Sequence, residues 1–210
     1  MKVYVQQYCA LGRQYVLIIS IYMMAENAAH NRRSIDEKQT TGGARMIAII
    51  DYDAGNIKSV EKALHYLGEE TVVSRDPQVL LSADKVILPG VGSFGDAMNN
   101  LNKFGLVPVI RELTEKGTPF LGICLGLQLL FESSDETPGV EGLGILKGKI
   151  VKIPPAPGLK IPHMGWNSLH LQNDGRLFKG IPEETYVYFV HSYYLQAKEP
   201  EIVKATAQYG

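Results

Sequence analysis

From Met46 onward, short apolar runs alternate with stretches of helical period, and this alternation narrows the fold more than any other feature of the chain. Residues 47–51 open with Ile-Ala-Ile-Ile, a continuous apolar run of the kind that a strand buried on both faces requires. A turn at residues 52–56 follows, with Asn56 placed to cap a helix. Ile57, Val60, Leu64 and Leu67 then recur at helical spacing, and Gly68 stands where a helix-ending glycine belongs. Residues 71–74 read as a second strand, Asp76-Pro77 as the cap and first residue of a short helix, and residues 85–88 as a third strand. Residues 95–116 are helical in pattern and stop at Gly117. Residues 120–123 form a fourth strand running into Cys124, with 125–132 helical again. This order predicts an α/β fold on a mostly parallel, doubly wound sheet flanked by helices. After Gly139 the texture changes. Short strand-like runs at 149–153, 166–171, 185–190, 192–196 and 203–208 predict a β-rich second half within the same domain.

Composition excludes several classes. A hydrophobic share of 45% and a charged share of 20% are ordinary for a globular chain and rule out a disordered, fibrous or multi-span membrane protein. Lys+Arg at 21 against Asp+Glu at 22 gives a net charge of −1, so no global field recruits nucleic acid or anionic lipid. Cys9 and Cys124 lie in unrelated contexts, which argues against a disulfide framework or a metal site and for a cytoplasmic protein with reduced thiols. The first 45 residues differ from the rest. They carry six basic and three acidic groups (net +3), leaving 15 against 19 (net −4) for residues 46–210. Their apolar run at 15–25 resembles a secretory signal but is shorter than the roughly 20 residues a bilayer span needs. The favoured expectation is that Met46 is the natural start and residues 1–45 are a leader outside the domain.

The sharpest local feature is Gly122-Ile-Cys124-Leu-Gly126, between an apolar strand and a helix. Glycines two residues either side of a nucleophile permit a tight strand-to-helix turn that exposes the side chain at the strand's carboxyl end. The helix start beyond it would lower the thiol pKa and stabilise an oxyanion. A buried structural cysteine fits the same residues, and the motif alone does not separate the two. A second loop, Pro89-Gly-Val-Gly-Ser-Phe-Gly95, also joins a strand to a helix. Its spacing fits G-x-G-x-x-G, so dinucleotide binding is weighed. It follows the third strand rather than the first, and Glu112 and Glu115, the acidic candidates, fall in a helix pattern.

Taken in order with Pro162-His-Met-Gly-Trp-Asn167 and Tyr188-Phe-Val-His-Ser-Tyr193, these loops resemble the glutaminase subunit family of imidazole glycerol phosphate synthase, class I glutamine amidotransferases with a flavodoxin-like sheet. The resemblance covers essentially all of residues 46–210. It implies that Cys124 is the nucleophile, forming a γ-glutamyl thioester and releasing ammonia. It implies oxyanion donors at Leu125 and along Gly90, Val91 and Gly92, and glutamine contacts from Gln128 and Tyr188. Ammonia would pass to a (β/α)₈-barrel cyclase subunit, HisF, in a heterodimer. His163, Met164, Gly165, Trp166 and Asn167 would face that partner. No cofactor, metal, nucleic acid or membrane is implied.

One departure stands out. The family's general base is a His in a His-Pro-Glu element near the C-terminus, and the 210 residues contain none. The expectation is a chain that lacks the C-terminal end of the domain and has little glutaminase activity as written. His163 and His191 read as structural histidines rather than substitutes, and His65 and His170 as surface residues. The alternatives are another class I amidotransferase, against which the His-Met-Gly-Trp-Asn segment speaks, and a non-catalytic partner-binding fragment.

Overall fold

The computed structural model describes Lys2–Val3 and residues 46–172 and 176–210. The expected leader, with Cys9 and the run at 15–25, lies outside the described residues apart from Lys2–Val3 (β1), which pairs with the last strand.

Four parallel strands build the main sheet: β2 (Ile47–Ile50), β3 (Thr71–Ser74), β4 (Lys85–Leu88) and β5 (Phe120–Gly122), in the order β3-β2-β4-β5. All four residues of β2 are buried, which explains its unbroken apolar sequence. Helix α1 (Ile57–Tyr66) starts where Asn56 accepts from the Ser59 N–H, and Gly68 follows its end at φ +82°. Helix α2 (Pro77–Ser82) begins where the sequence places it, capped by Asp76 with proline at its first position. The stretch that reads as one helix at 95–116 is two, α3 (Phe94–Lys103) and α4 (Leu106–Glu115). Gly105 breaks it by adopting φ +65°, a left-handed conformation that a helix cannot propagate.

The helix after Cys124 is also shorter than its pattern suggests. It covers Leu125–Gln128 (α5) and not 125–132. Leu129, Leu130 and Phe131 are each at most 1% exposed. Consecutive helical side chains point about 100° apart and cannot all face one core, so the chain leaves the helix to bury all three. Their carbonyls accept from the N–H groups of Leu143, Leu146 and Gly144, respectively.

The second half is mostly antiparallel, with one short parallel pairing of residues 133–134 against 149–150, and divided. β7 (Gly148–Lys152) lies between β6 (Ser133–Ser134) and β11 (Tyr193–Ala197). β8 (His163–Ser168) pairs with β10 (Tyr186–His191), opposing Trp166 to Tyr188 and Met164 to Val190. β12 (Ala205–Gln208) lies between β9 (His170–Leu171) and β1. A single core joins the halves, running from Ala48, Ile50 and Leu88 of the parallel sheet to Ile150 and Leu195 of β7 and β11. No helix among the described residues is long and apolar enough to cross a membrane.

Candidate active site at the carboxyl ends of three strands

The chain order of the parallel sheet reverses between β2 and β4, and the crevice above such a reversal is where open α/β sheets bind ligands. Three loops meet there. Beyond β5, Cys124 sits at φ +53°, ψ −115°, a conformation that non-glycine residues rarely adopt. Its flanking glycines are sterically required. A methyl at Gly126 would lie 1.9 Å from the Leu88 carbonyl oxygen, and one at Gly122 would lie 2.6 Å from the Leu127 Cα.

The loop after β4 interlocks with this elbow. The Leu88 carbonyl accepts from the Ile123 N–H at 2.9 Å, and a methyl at Gly90 would lie 2.3 Å from the Gly126 nitrogen. Pro89 and Gly90 are buried, whereas Val91 and Gly92 are exposed, Gly92 at φ +97° with open space around it. At the start of α3 the Phe94 N–H donates to Glu136 (2.8 Å) and the Gly95 N–H to Thr137 (3.1 Å). Those are the donors a dinucleotide pyrophosphate would need, and Glu112 and Glu115 lie in α4. Of the three glycines in this spacing, Gly90 packs against the elbow, Gly95 meets Thr137 and Gly92 stands open.

The loop after β2 completes the crevice. Tyr52 is fully buried and its hydroxyl donates to the Pro89 carbonyl at 2.7 Å. Arg75 holds Asp51 (2.7 Å) and Asp53 (2.6 Å) and lies over the Phe104 ring. Its guanidinium keeps the Asp51 carboxyl below the usual carboxylate range.

The electrostatics correct one expectation. The Cys124 thiol is pushed up, not down: burial dominates, a hydrogen bond from the Leu125 N–H opposes it, and the Glu136 carboxylate adds to the rise. A helix of four residues supplies too little aligned dipole to reverse the cost of burial. Tyr52 is likewise pushed up by burial, with Cys124 as the second cause. Tyr52 and Glu136 thus belong to this site, although the sequence pattern marks neither as a site residue. For Tyr52 the available signal is its place just beyond β2, beside the sheet's reversal.

Of the residues expected to act together, Cys124, Leu125, Gln128 and the Gly90–Val91–Gly92 stretch are assembled here. Gln128 is half-buried in α5, its N–H on the Cys124 carbonyl at 3.3 Å. Among the described residues no group of His, Cys, Asp and Glu is placed to hold a metal.

Residues 48–209 match the family model of class-I glutamine amidotransferases. Imidazole glycerol phosphate synthase subunit HisH of Moorella thermoacetica is 54% identical over 166 residues, 79% of this chain and 78% of that protein. HisH of Aquifex aeolicus is 52% identical, covering 77% and 78%, and HisH 1 of Methanococcus maripaludis 48%, covering 79% and 82%. The chain belongs to the class I glutamine amidotransferases, in their HisH branch. The fold agrees: a glutamine amidotransferase crystal structure superposes at TM-score 0.56 with 19% identity, covering 73% of this chain and 75% of that one. PurLQS of Thermotoga maritima gives 0.51 with 20% identity, covering 74% and 76%.

The remaining residues expected from the HisH resemblance lie in the antiparallel half. Tyr188 meets Trp166 edge-on at 5.7 Å, and none of its ring contacts or hydrogen bonds among the described residues reaches the elbow. Strand alternation divides the segment expected to face a partner. Met164 (61% exposed) and Trp166 (56%) point outward, Gly165 and Asn167 are half-buried, and His163 is buried at 3%. His163 therefore does not present its side chain to a partner, which corrects that expectation. Its ring is stacked between Phe189 and Tyr209, and its Nδ1 is 3.1 Å from His191 Nε2. Burial first, then the neighbouring His191, pushes the His163 pKa down to about 4; burial also lowers that of His191. Stacking and hydrogen bonds hold both rings, the setting expected of structural histidines. The exposed positions of His65, bonded to Thr71, and His170, beside Glu183, also agree with expectation.

Proposed function

We propose that this chain is the glutaminase subunit of an imidazole glycerol phosphate synthase in histidine biosynthesis, and that residues 46–210 are its amidotransferase domain. Cys124 is the nucleophile in this reading. Its Sγ attacks the side-chain carboxamide carbon of glutamine, and the carbonyl oxygen gathers negative charge. Collapse breaks the C–N bond as the departing nitrogen takes up the proton that the thiol has given up, so that ammonia leaves and a γ-glutamyl thioester remains, which water then cleaves to glutamate and free thiol. The Leu125 N–H, now bonded to the sulfur, is the first oxyanion donor, and a second comes from the Gly90–Val91–Gly92 stretch. The Glu136 carboxylate acts electrostatically on the thiol and would complement the substrate's α-ammonium group. Gln128 and Tyr188 are retained as glutamine contacts, Tyr188 by resemblance alone.

The observation that carries this reading is the elbow: a cysteine held at positive φ between two glycines that admit no methyl, with a helix-start N–H on its sulfur. A buried structural cysteine needs none of these features. Resemblance supplies the partner, a (β/α)₈-barrel cyclase subunit of the HisF kind, which would use the ammonia to close an imidazole ring. Met164, Trp166 and their neighbours Gly165 and Asn167 offer it an apolar surface. A cytoplasmic location follows from that pathway.

The test is covalent mapping with a chloroketone analogue of glutamine. Labelling is expected at Cys124 and is expected to vanish in Cys124→Ala. Undiminished labelling of that variant would remove Cys124 from the mechanism. Ring formation with the barrel subunit gives the second arm: Cys124→Ala should retain the ammonia-dependent reaction, whose chemistry lies in the barrel, and lose any glutamine-dependent one.

A further inference from the structure

The loop from Pro89 to Gly92 has two mechanical parts. Its base is fixed: Pro89 and Gly90 are buried, Gly90 is wedged against Gly126 and Leu125, and Gly55 packs against Pro89. Its tip is free, because Val91 is 54% exposed and a methyl at Gly92 would meet nothing within 4 Å. The only side-chain hydrogen bond found at the base among the described residues is the 2.7 Å bond from the Tyr52 hydroxyl to the Pro89 carbonyl. In a trans peptide the carbonyl and the following N–H point in opposite directions. Holding the Pro89 carbonyl therefore also sets the direction of the Gly90 N–H, and with it the start of the exposed tip.

We propose that Tyr52 is a positioning residue for the oxyanion pocket: its hydroxyl pins the Pro89–Gly90 peptide as a hinge, so that the tip at Val91–Gly92 presents its N–H groups beside Cys124. Tyr52 touches neither the substrate nor the reacting atoms in this scheme and acts through Pro89. Without the hydroxyl, the buried Pro89 carbonyl loses its side-chain donor. Rotating the 89–90 peptide toward another donor would relieve that cost and turn the oxyanion donors away. The inference rests on Cys124 being the nucleophile.

The test compares the full chain with Tyr52→Phe, which keeps the ring that fills the buried site. Two electrophiles are used, with labelling of Cys124 read by peptide mass mapping. A chloroketone analogue of glutamine gathers charge on its carbonyl oxygen and depends on the pocket, whereas iodoacetamide reports the thiol alone. Removing an oxyanion donor outright costs about 10²–10³-fold. Misdirecting one is expected to lower the chloroketone rate by about tenfold, with iodoacetamide changed by less than about twofold. Amide hydrogen exchange at 90–92 is expected to speed up while β4 stays protected. An unchanged ratio of the two rates overturns the inference, as does an equal fall in both or a collapse of the melting transition, since those mark a merely structural hydroxyl. Absence of chloroketone labelling at Cys124 in the unaltered chain overturns the nucleophile reading and the inference with it.

Discussion

The two halves of this molecule use their residues in opposite ways. In the parallel half the site is made by exclusion: the ends of β4 and β5 approach so closely that Gly90, Gly122 and Gly126 have no room for a methyl group. In the antiparallel half the β8–β10 ribbon leaves space open, although a methyl at Gly148 of β7 would lie 2.7 Å from the Gln196 carbonyl oxygen. Met164, Trp166, Tyr186 and Val190 lie on one face of the β8–β10 ribbon, each at least 47% exposed, while its other face buries His163 and Phe189. The small core there has Leu169, Phe189 and Ala207 as its buried members. The proposed reaction geometry belongs to the crowded half, and recognition of a partner suits the open one.

Glycine substitutions give the largest expected effect and the most direct way to break this contrast. Gly126→Ala drives a methyl into the Leu88 carbonyl and is expected to cost about 3 kcal/mol or more, with loss of Cys124 labelling. Gly165→Ala meets nothing within 4 Å and carries only the strain of φ +140°, so it should cost about 1 to 2 kcal/mol and leave labelling intact. Chemical denaturation of both variants checks this. Equal destabilisation would erase the distinction between the halves.

Next in size is the open face. Trp166→Ala is expected to change the stability of the free chain by less than about 0.5 kcal/mol, since the side chain is 56% exposed. Its affinity for the barrel subunit should fall by about 2 kcal/mol, or some thirtyfold, as a central aromatic anchor would. Titration calorimetry with the barrel decides it. A large stability loss with unchanged affinity would show that the face is structural.

The histidine pair beneath that face predicts a pH effect. His163 titrates at about 4 when folded, against an ordinary value of 6.5, so between those values the unfolded chain binds more protons than the folded one. Stability is therefore complete above pH 6.5 and declines as pH falls toward 4, by about 3 kcal/mol. His163→Phe should flatten that part of the profile in thermal melts. An unchanged slope would assign the loss to His191, whose pKa burial lowers as well.

Legibility in the sequence follows the same division. The parallel half is readable because its strands are buried on both faces and its helices carry caps: Asn56, Asp76 and Gly68 all stand at the expected positions. The helix boundaries that the pattern misses, at Gly105 and after Gln128, depend on tertiary demands. Burial of Leu129, Leu130 and Phe131 overrides a helix-compatible pattern. Cys124 is legible through its two glycines, but the direction of its pKa is not, because burial is set by loops distant in sequence. Tyr52 and Glu136 escape for the same reason: one acts through a residue 37 positions away and the other bonds the start of α3 across 42 positions. In the antiparallel half, composition locates the strands but not their bounds: the run read at 166–171 is divided between His163–Ser168 and His170–Leu171, and the inward turn of His163 requires the register of β8 against β10.

The smallest expected effect concerns the price of reactivity in the crowded half. Cys124 holds φ +53°, ψ −115°, a region that costs a residue with a Cβ roughly 1 to 3 kcal/mol and costs glycine little. Cys124→Gly removes that strain and also relieves a half-buried polar group beside Glu136. Against this stand the lost contacts of the thiol with Ile123 and its neighbours in the core on the α1 side of the sheet, and the greater freedom of glycine in the unfolded chain. The balance is expected to favour the variant by about 1 kcal/mol, a rise of a few degrees in melting temperature for a domain of this size. Cys124→Ala, which keeps a Cβ, should keep the strain and gain only what loss of the thiol gives. Matched melts of the two variants separate backbone strain from loss of the thiol. If alanine stabilises as much as glycine, the strain at the elbow is not stored in the backbone, and the contrast between a crowded half and an open one rests on its glycines alone.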